Sequence, residues 1–226
     1  MYYRLSKFKT VFFCAIGMLT VLISGALAIH LEPIERLDRM VLECFAAGRM
    51  TLLDQLFLYV TWAGSSFILL PVILVHAFIL IARKKIQDAQ FLVGSYIGAS
   101  LLNSAAKLIF MRPRPNLFPA VIDLPAGFSF PSSHAAQITV FVLAELLLLQ
   151  VSTRARRFVL FNIAGGILIL LVCFSRLYLQ VHYLTDVVTG FLTALFWVIG
   201  LGAVMLTDHK KRTFLGGHHL EKGKQQ

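Results

Sequence analysis

A chain of 226 residues with 58% hydrophobic and only 14% charged residues, and a mean hydropathy of +0.79, is not a soluble globular domain, where about a quarter of residues carry charge. At about 20 residues per hydrophobic span, that length allows an all-α polytopic membrane protein of six spans with short connections. It forms one domain over residues 1–226. The net charge of +10 would suit a polynucleotide, but its placement argues against nucleic acid.

Basic residues cluster as Arg4, Lys7 and Lys9; as Arg83, Lys84 and Lys85; as Arg154, Arg156 and Arg157; and as Lys210, Lys211, Arg212, Lys222 and Lys224. These clusters hold 14 of the 21 basic residues and fall in alternate connections. That is the positive-inside pattern, which predicts cytoplasmic N- and C-termini and contact with anionic lipid. Cys14, Cys44 and Cys173 show no paired spacing, so neither a disulfide framework nor a metal knuckle is indicated.

The first apolar run covers residues 11–29. It follows a basic start and ends among small residues, as a signal peptide would, but about 19 residues make a full span, and it is read as retained. Residues 30–55 mix charges (Glu32, Glu35, Asp38, Glu43 and Asp54 against Arg36, Arg39 and Arg49) with Leu31, Ile34, Leu37, Val41 and Phe45 at helical spacing. This predicts an amphipathic helix at the outer interface or a solvated loop helix.

A second span covers 56–82, with bends at Gly64-Ser65-Ser66 and Pro71, and carries His76, read as packed or hydrogen-bonded. The third, 89–111, has Gly94, Gly98, Ala99, Ser100 and Ala105, small residues that mark close helix contact. The fourth covers 131–151, the fifth 158–174 and the sixth 184–206, which leaves 30–55, 112–130 and 175–183 as outer connections. Glu145, midway along the fourth span, is read as a structural hydrogen-bond partner within the bundle.

Chemistry-bearing residues gather at the outer ends. Ser175-Arg176 and His182…Asp186 lie between two apolar runs. At i,i+4 on a helix face, the Asp186 carboxylate would take a proton from one His182 ring nitrogen and leave the other bare, the form a nucleophile needs. Lys107 precedes Arg112-Pro113-Arg114-Pro115, a stiff segment that keeps its guanidiniums apart. Pro131-Ser132-Ser133-His134 opens the fourth span with a proline at the first helical position. That leaves free N–H groups at a positive helix end, with two hydroxyls and a proton carrier. Three cations, a helix start and two histidines, without a carboxylate or His/Cys cluster for a divalent metal, imply phosphoryl transfer through a phosphohistidine with no cofactor and no metal.

Lys107…Arg114-Pro115, Pro131-Ser132-Ser133-His134 and Ser175-Arg176…His182…Asp186 together resemble the three-part signature of the type 2 phosphatidic acid phosphatase superfamily. That family includes lipid phosphate phosphatases and undecaprenyl-pyrophosphate phosphatases, and its site is shared with soluble haloperoxidases and acid phosphatases. The resemblance implies His182 as nucleophile and Asp186 as its orienting partner. It implies Lys107, Arg114, Ser132, Ser133 and Arg176 as phosphate-binding residues, and His134 as the acid that protonates the leaving oxygen and then activates water.

One departure stands out: Ser133 replaces the family's usual glycine, and its side chain either crowds the cage or adds a donor. Arg112 matches no signature position and is left as a possible headgroup contact. Undecaprenyl pyrophosphate, phosphatidylglycerophosphate, phosphatidic acid and lipid A 1-phosphate all fit as substrates, and the reading leans to the first. Short loops, small size and the lack of a glycosylation sequon suggest a bacterial inner (plasma) membrane, with the site facing the periplasm or exterior. Phosphotransfer to another lipid, and a non-catalytic headgroup binder or transporter, remain as alternatives; a binder has no need of the His182–Asp186 pair.

Overall fold

The structure, a computed structural model, describes residues 2–150 and 155–206. Arg154 and the basic residues 210–224, with the side chains of Arg4 and Lys7, lie outside what is described. All regular structure among the described residues is helical: α1 (Tyr2–Ala28), α2 (Glu32–Ala47), α3 (Thr51–Trp62), α4 (Ser66–Ala82), α5 (Ile86–Phe110), α6 (Ser133–Leu149), α7 (Ala155–Tyr178) and α8 (Leu184–Met205).

Five stretches are long and apolar enough to cross a membrane: Phe8–Ala28, Thr51–Ala82, Ile86–Phe110, Arg156–Tyr178 and Leu184–Met205. The predicted fourth span is shorter than expected. α6 has 17 residues, about 26 Å of helix against a hydrocarbon core of about 30 Å. Its start is recessed: Pro131, Ser132, Ala135 and Ala136 are all buried, so the chemistry at this helix end sits inside the bundle. Pro131 also falls outside the helix. Ser132 is the N-cap and Ser133 the first helical residue, so the first free N–H groups belong to Ser133, His134 and Ala135, not to a segment opened by proline.

The break between α3 and α4 falls at Ala63–Ser65, where glycine and serine were expected to bend the chain, and the Ser65 hydroxyl caps α4 by accepting from the Phe67 N–H. Pro71 is accommodated within α4. α7 runs to Tyr178, a turn beyond the predicted end, and there Arg176 donates to the buried Thr61 hydroxyl and Tyr178 to the half-buried Asp54.

In lipid there is no hydrophobic force between helices, so close packing and polar clasps hold them together. A Cβ at Gly98 would lie 2.1 Å from the Trp197 ring, so only glycine lets α5 and α8 approach this closely; the Trp197 indole N–H in turn donates to the Ser95 carbonyl at 2.9 Å. α4 and α6 are clasped twice, by Ser66 donating to Gln137 at 3.1 Å and by His76 Nδ1 against Glu145 Oε1 at 2.6 Å. Glu145 is therefore a structural partner, and the partner is the very histidine that stood alone in the sequence. Phe8, Phe67 and Phe78 remain largely exposed on the outside of the bundle, as lipid-facing aromatics do. The three cysteines are free.

α2 forms as expected, but its inward face differs. Leu31 and Leu37 are exposed, while the buried positions are Asp38 and Leu42, with Ile34, Val41 and Phe45 partly covered. Asp38, placed in sequence among the solvated charges, is 1% exposed. The helix is seated on the bundle, with the Gln180 amide donating to the Leu42 carbonyl at 3.0 Å.

Candidate active site

The C-terminal ends of α5 and α7, the N-terminal ends of α6 and α8, and the loop between α5 and α6 converge at one end of the bundle. His182 lies in the turn before α8, whose N-cap is Tyr183. It does not share a helix face with Asp186. The contact arises from a cap: Asp186 is the N3 residue, and its Oδ2 accepts from the Tyr183 backbone N–H at 3.0 Å while lying 3.3 Å from His182 Nδ1. The predicted pairing forms by a different route.

The partners of the two ring nitrogens favour one tautomer. His182 Nε2 lies 3.3 Å from the Arg114 guanidinium, which can only donate, while Nδ1 faces a carboxylate, which can only accept. Both contacts are met with the proton on Nδ1 and a lone pair on Nε2, while the Ser129 backbone, which favours the charged ring, pulls against that form. Burial, and then the charges of Arg176, Arg114 and Lys107, push the imidazole well below its ordinary pKa, with the Ser129 backbone pulling modestly the other way. In an NMR titration of ¹⁵N-histidine-labelled protein without substrate, His182 is expected to stay in the neutral Nδ1–H form from pH 8 down through about 6.5, where free imidazole takes up its proton. A midpoint near that value would contradict this electrostatic reading.

Three cations surround this imidazole. Arg114 donates through Nε to the Gly127 carbonyl at 3.2 Å and through one terminal nitrogen to the Val181 carbonyl at 2.9 Å; burial lowers its pKa from the ordinary value, with Asp186 acting in the opposite sense. Lys107 donates to the carbonyls of Phe128 (2.6 Å) and Ser129 (3.2 Å). Arg176 is 2% exposed and donates to the Thr61 hydroxyl at 2.7 Å, while its Nε is buried without a partner. Among the described residues, none of these three has a carboxylate within 4.0 Å. A cluster of half-buried and buried positive charge with no carboxylate in contact, and Asp186 acting only from a distance, is costly unless an anion enters it.

The α6 start adds donors. The Ser132 hydroxyl is buried and unpaired, and the Ser132 backbone N–H donates to the Asp186 carbonyl at 2.9 Å. α8 and the α6 start approach this closely only because position 190 is glycine: a Cβ there would sit 2.5 Å from the Ser132 carbonyl oxygen. Ser133 does not crowd the cage. Its hydroxyl accepts from the Asn103 amide at 2.8 Å, which leaves its own proton free to donate. His134 is half-buried on the first turn of α6, within the field of Arg176, His182, Arg114 and Lys107. Every predicted site residue is thus brought to one end of the bundle.

Sequence reasoning missed the role of Arg112. It is not a headgroup contact: it is 8% exposed and bridges two carboxylates, Asp186 at 2.5 Å and Asp38 at 2.8 Å, with its guanidinium 3.9 Å over the Tyr183 ring. Burial opposes its charge, but Asp186 and Asp38 outweigh that and hold its pKa above the ordinary value. Asn103 was also passed over, although it sits one helical turn before Lys107 on the same face.

Comparison with known proteins places this arrangement. The family model described as the PAP2 superfamily matches residues 89–214. Phosphatidylglycerophosphatase B of Bacillus subtilis (strain 168) is 30% identical over 168 residues, which cover 74% of this chain and 82% of that protein. Undecaprenyl-diphosphatase of Sulfolobus acidocaldarius is 29% identical over 149 residues, covering 64% and 67%. The crystal structure of a transmembrane PAP2 type phosphatidylglycerolphosphate phosphatase from Bacillus subtilis superposes with a TM-score of 0.74 at 26% identity, covering 86% of this chain and 96% of that one.

Proposed function

Because this chain belongs to the PAP2 superfamily, whose members here are membrane lipid phosphatases, we propose that it removes a phosphoryl group from a phospholipid monoester or a polyprenyl diphosphate through a phosphohistidine on His182, without a metal. The observation that carries this is the uncompensated trio Lys107, Arg114 and Arg176 around an imidazole that keeps a bare Nε2.

The Nε2 lone pair attacks phosphorus as the bond to the lipid oxygen breaks, and His134, which takes up a proton once the anionic phosphate offsets the surrounding cations, passes that proton to the leaving oxygen. His134, now neutral, takes a proton from water, whose oxygen attacks the phosphohistidine; the P–N bond breaks and inorganic phosphate leaves. Asp186 stabilises the positive charge on His182 while the intermediate exists, and the three cations with the Ser132–Ser133 donors hold the phosphoryl oxygens. In the free protein Arg114 donates to Nε2, so an entering phosphoryl group must draw that guanidinium onto its own oxygens before the lone pair is available.

The whole chain acts as one domain of six spans, with α6 as the short sixth. Its termini lie in the cytoplasm and the site at the outer face of a bacterial inner membrane. Arg83, Lys84 and Lys85 at the N-terminal end of α5 support this, since the 25 residues of that helix put them about 37 Å from the site. Phosphatidylglycerophosphate and undecaprenyl pyrophosphate are the substrates favoured by the named relatives. The test is phosphate release by the purified detergent-solubilised protein in EDTA, with these two lipids and phosphatidic acid. Release undiminished by the chelator is expected, with one of the first two lipids ranked highest. A strict Mg²⁺ requirement would exclude the metal-free route, and no release from any lipid would exclude hydrolysis.

A further inference from the structure

Asp38 stands outside the residues matched by the family model and on a helix that does not span the bundle, yet it is 1% exposed and fully engaged. Its Oδ1 accepts from the Thr185 backbone N–H at 3.0 Å; its Oδ2 accepts from the Thr185 hydroxyl at 2.7 Å and from Arg112 at 2.8 Å. The other terminal nitrogen of Arg112 donates to Asp186 Oδ1 at 2.5 Å and to the Thr185 hydroxyl at 2.7 Å. Asp186 Oδ2 is thereby left for Tyr183 N–H and His182 Nδ1.

We infer that Asp38 is a positioning residue for the nucleophile: by holding one arm of the Arg112 fork, it keeps Asp186 on the imidazole. The inference rests on the phosphohistidine reading for its consequence in rate, but not for its geometry. A planar guanidinium offers two parallel donors to a carboxylate and takes both oxygens when nothing competes. Asp38 is that competitor. With it gone, Arg112 is free to turn both terminal nitrogens onto Asp186, including the Oδ2 that orients His182, and the proton on Nδ1 loses its acceptor. Thr185 fixes the register of the same contact, since its backbone N–H and hydroxyl both bind Asp38 one residue before Asp186. Asp38 therefore acts on the last link of the chain without touching the site of phosphoryl transfer.

The test is Asp38→Asn, which keeps the shape and the oxygen that accepts from the Thr185 backbone N–H, but loses the second oxygen and the charge that hold Arg112. Expected is a fall in kcat of about 10- to 100-fold, with KM and the inhibition constant for inorganic phosphate nearly unchanged, because the three cations are untouched. In the ¹⁵N spectrum, His182 is expected to pass from one Nδ1–H tautomer to a mixture. Wild-type kcat and tautomer in a folded Asp38→Asn protein would overturn the inference; so would a lower melting temperature with the tautomer unchanged, since that is a merely structural effect. If Asp38→Asn does not fold, Arg112→Lys carries the test, because a single ammonium cannot serve both carboxylates as a fork does; the same tautomer mixture is expected, and a pure Nδ1–H form would overturn the inference. The tautomer readout needs no substrate. A wild type that releases no phosphate therefore counts against the phosphatase reading, whereas an unmoved tautomer counts against the positioning role.

Discussion

His182→Ala is expected to lower phosphate release on the order of 10⁶-fold, the scale on which losing a covalent nucleophile acts in other enzymes, while the protein still folds and inserts. The effect should be this large because no second nucleophile is in place. Ser132 is buried with no base against its hydroxyl, and the Ser133 hydroxyl is held by Asn103. Among the described residues no carboxylate pairs with His134, whereas His182 has Asp186 at 3.3 Å. The measurement is rapid quench into alkaline SDS with ³²P-labelled lipid, the label tested afterwards for loss in acid and retention in base. Wild type should hold label on the protein with the acid-labile, base-stable behaviour of a phosphoramidate, and His182→Ala should hold none. Label retained by His182→Ala, or turnover within tenfold of wild type, would move the covalent step to another residue.

The apolar helices, and the gathering of the candidate site residues at one end of them, could be read from sequence because each rests on a local signal. Apolar runs of about 20 residues announce helices in lipid, and the three groups of site residues lie at their ends in ordered spacing. What could not be read depends on which distant residue arrives beside which. Asp38 belongs to a helix of alternating charge, and nothing local distinguishes it from Glu35 or Arg39. It is buried because Arg112 and Thr185, 74 and 147 residues away, need its two oxygens. Arg112 was set aside because only Arg114 fits the spacing of the signature, yet of the two it is Arg112 that carboxylates engage.

His76 and Glu145 each read as an isolated polar residue in an apolar run, and only the packing of α4 on α6 makes them one pair. The His182–Asp186 contact was anticipated for a partly wrong reason. A spacing of four suggested a helix face, whereas the chain places His182 before the N-cap and lets Asp186 serve the cap and the imidazole with one oxygen. A separation of four residues is compatible with both geometries, and the choice depends on where α8 begins.

Arg176→Met should separate stability from activity more sharply than any other change at this site. Arg176 is a buried cation that, among the described residues, donates to the Thr61 hydroxyl and leaves its Nε without a partner. Replacing such a charge with an apolar side chain of similar length removes a desolvation burden, and comparable replacements of buried ionic groups have stabilised proteins by about 1 to 4 kcal/mol. The Thr61 hydroxyl left without its donor offsets about 1 kcal/mol of that. Ligand-free Arg176→Met is therefore expected to melt higher than wild type in detergent.

Its activity should move the opposite way, down by about 10³- to 10⁵-fold, the range in which a single arginine stabilises charge on a transferring phosphoryl group. Inorganic phosphate links the two effects. Bound at 100 times its dissociation constant it should stabilise wild type by about 2.7 kcal/mol, and it should raise the melting temperature of Arg176→Met far less. A variant that melts lower without ligand would make Arg176 a structural residue tied to Thr61. Equal phosphate stabilisation in both proteins would leave anion binding to Lys107, Arg114 and the start of α6. If Arg176 is held for the substrate, higher intrinsic stability, lost phosphate response and lost turnover should appear together, because its charge would then meet a counterion only in the phosphoryl group.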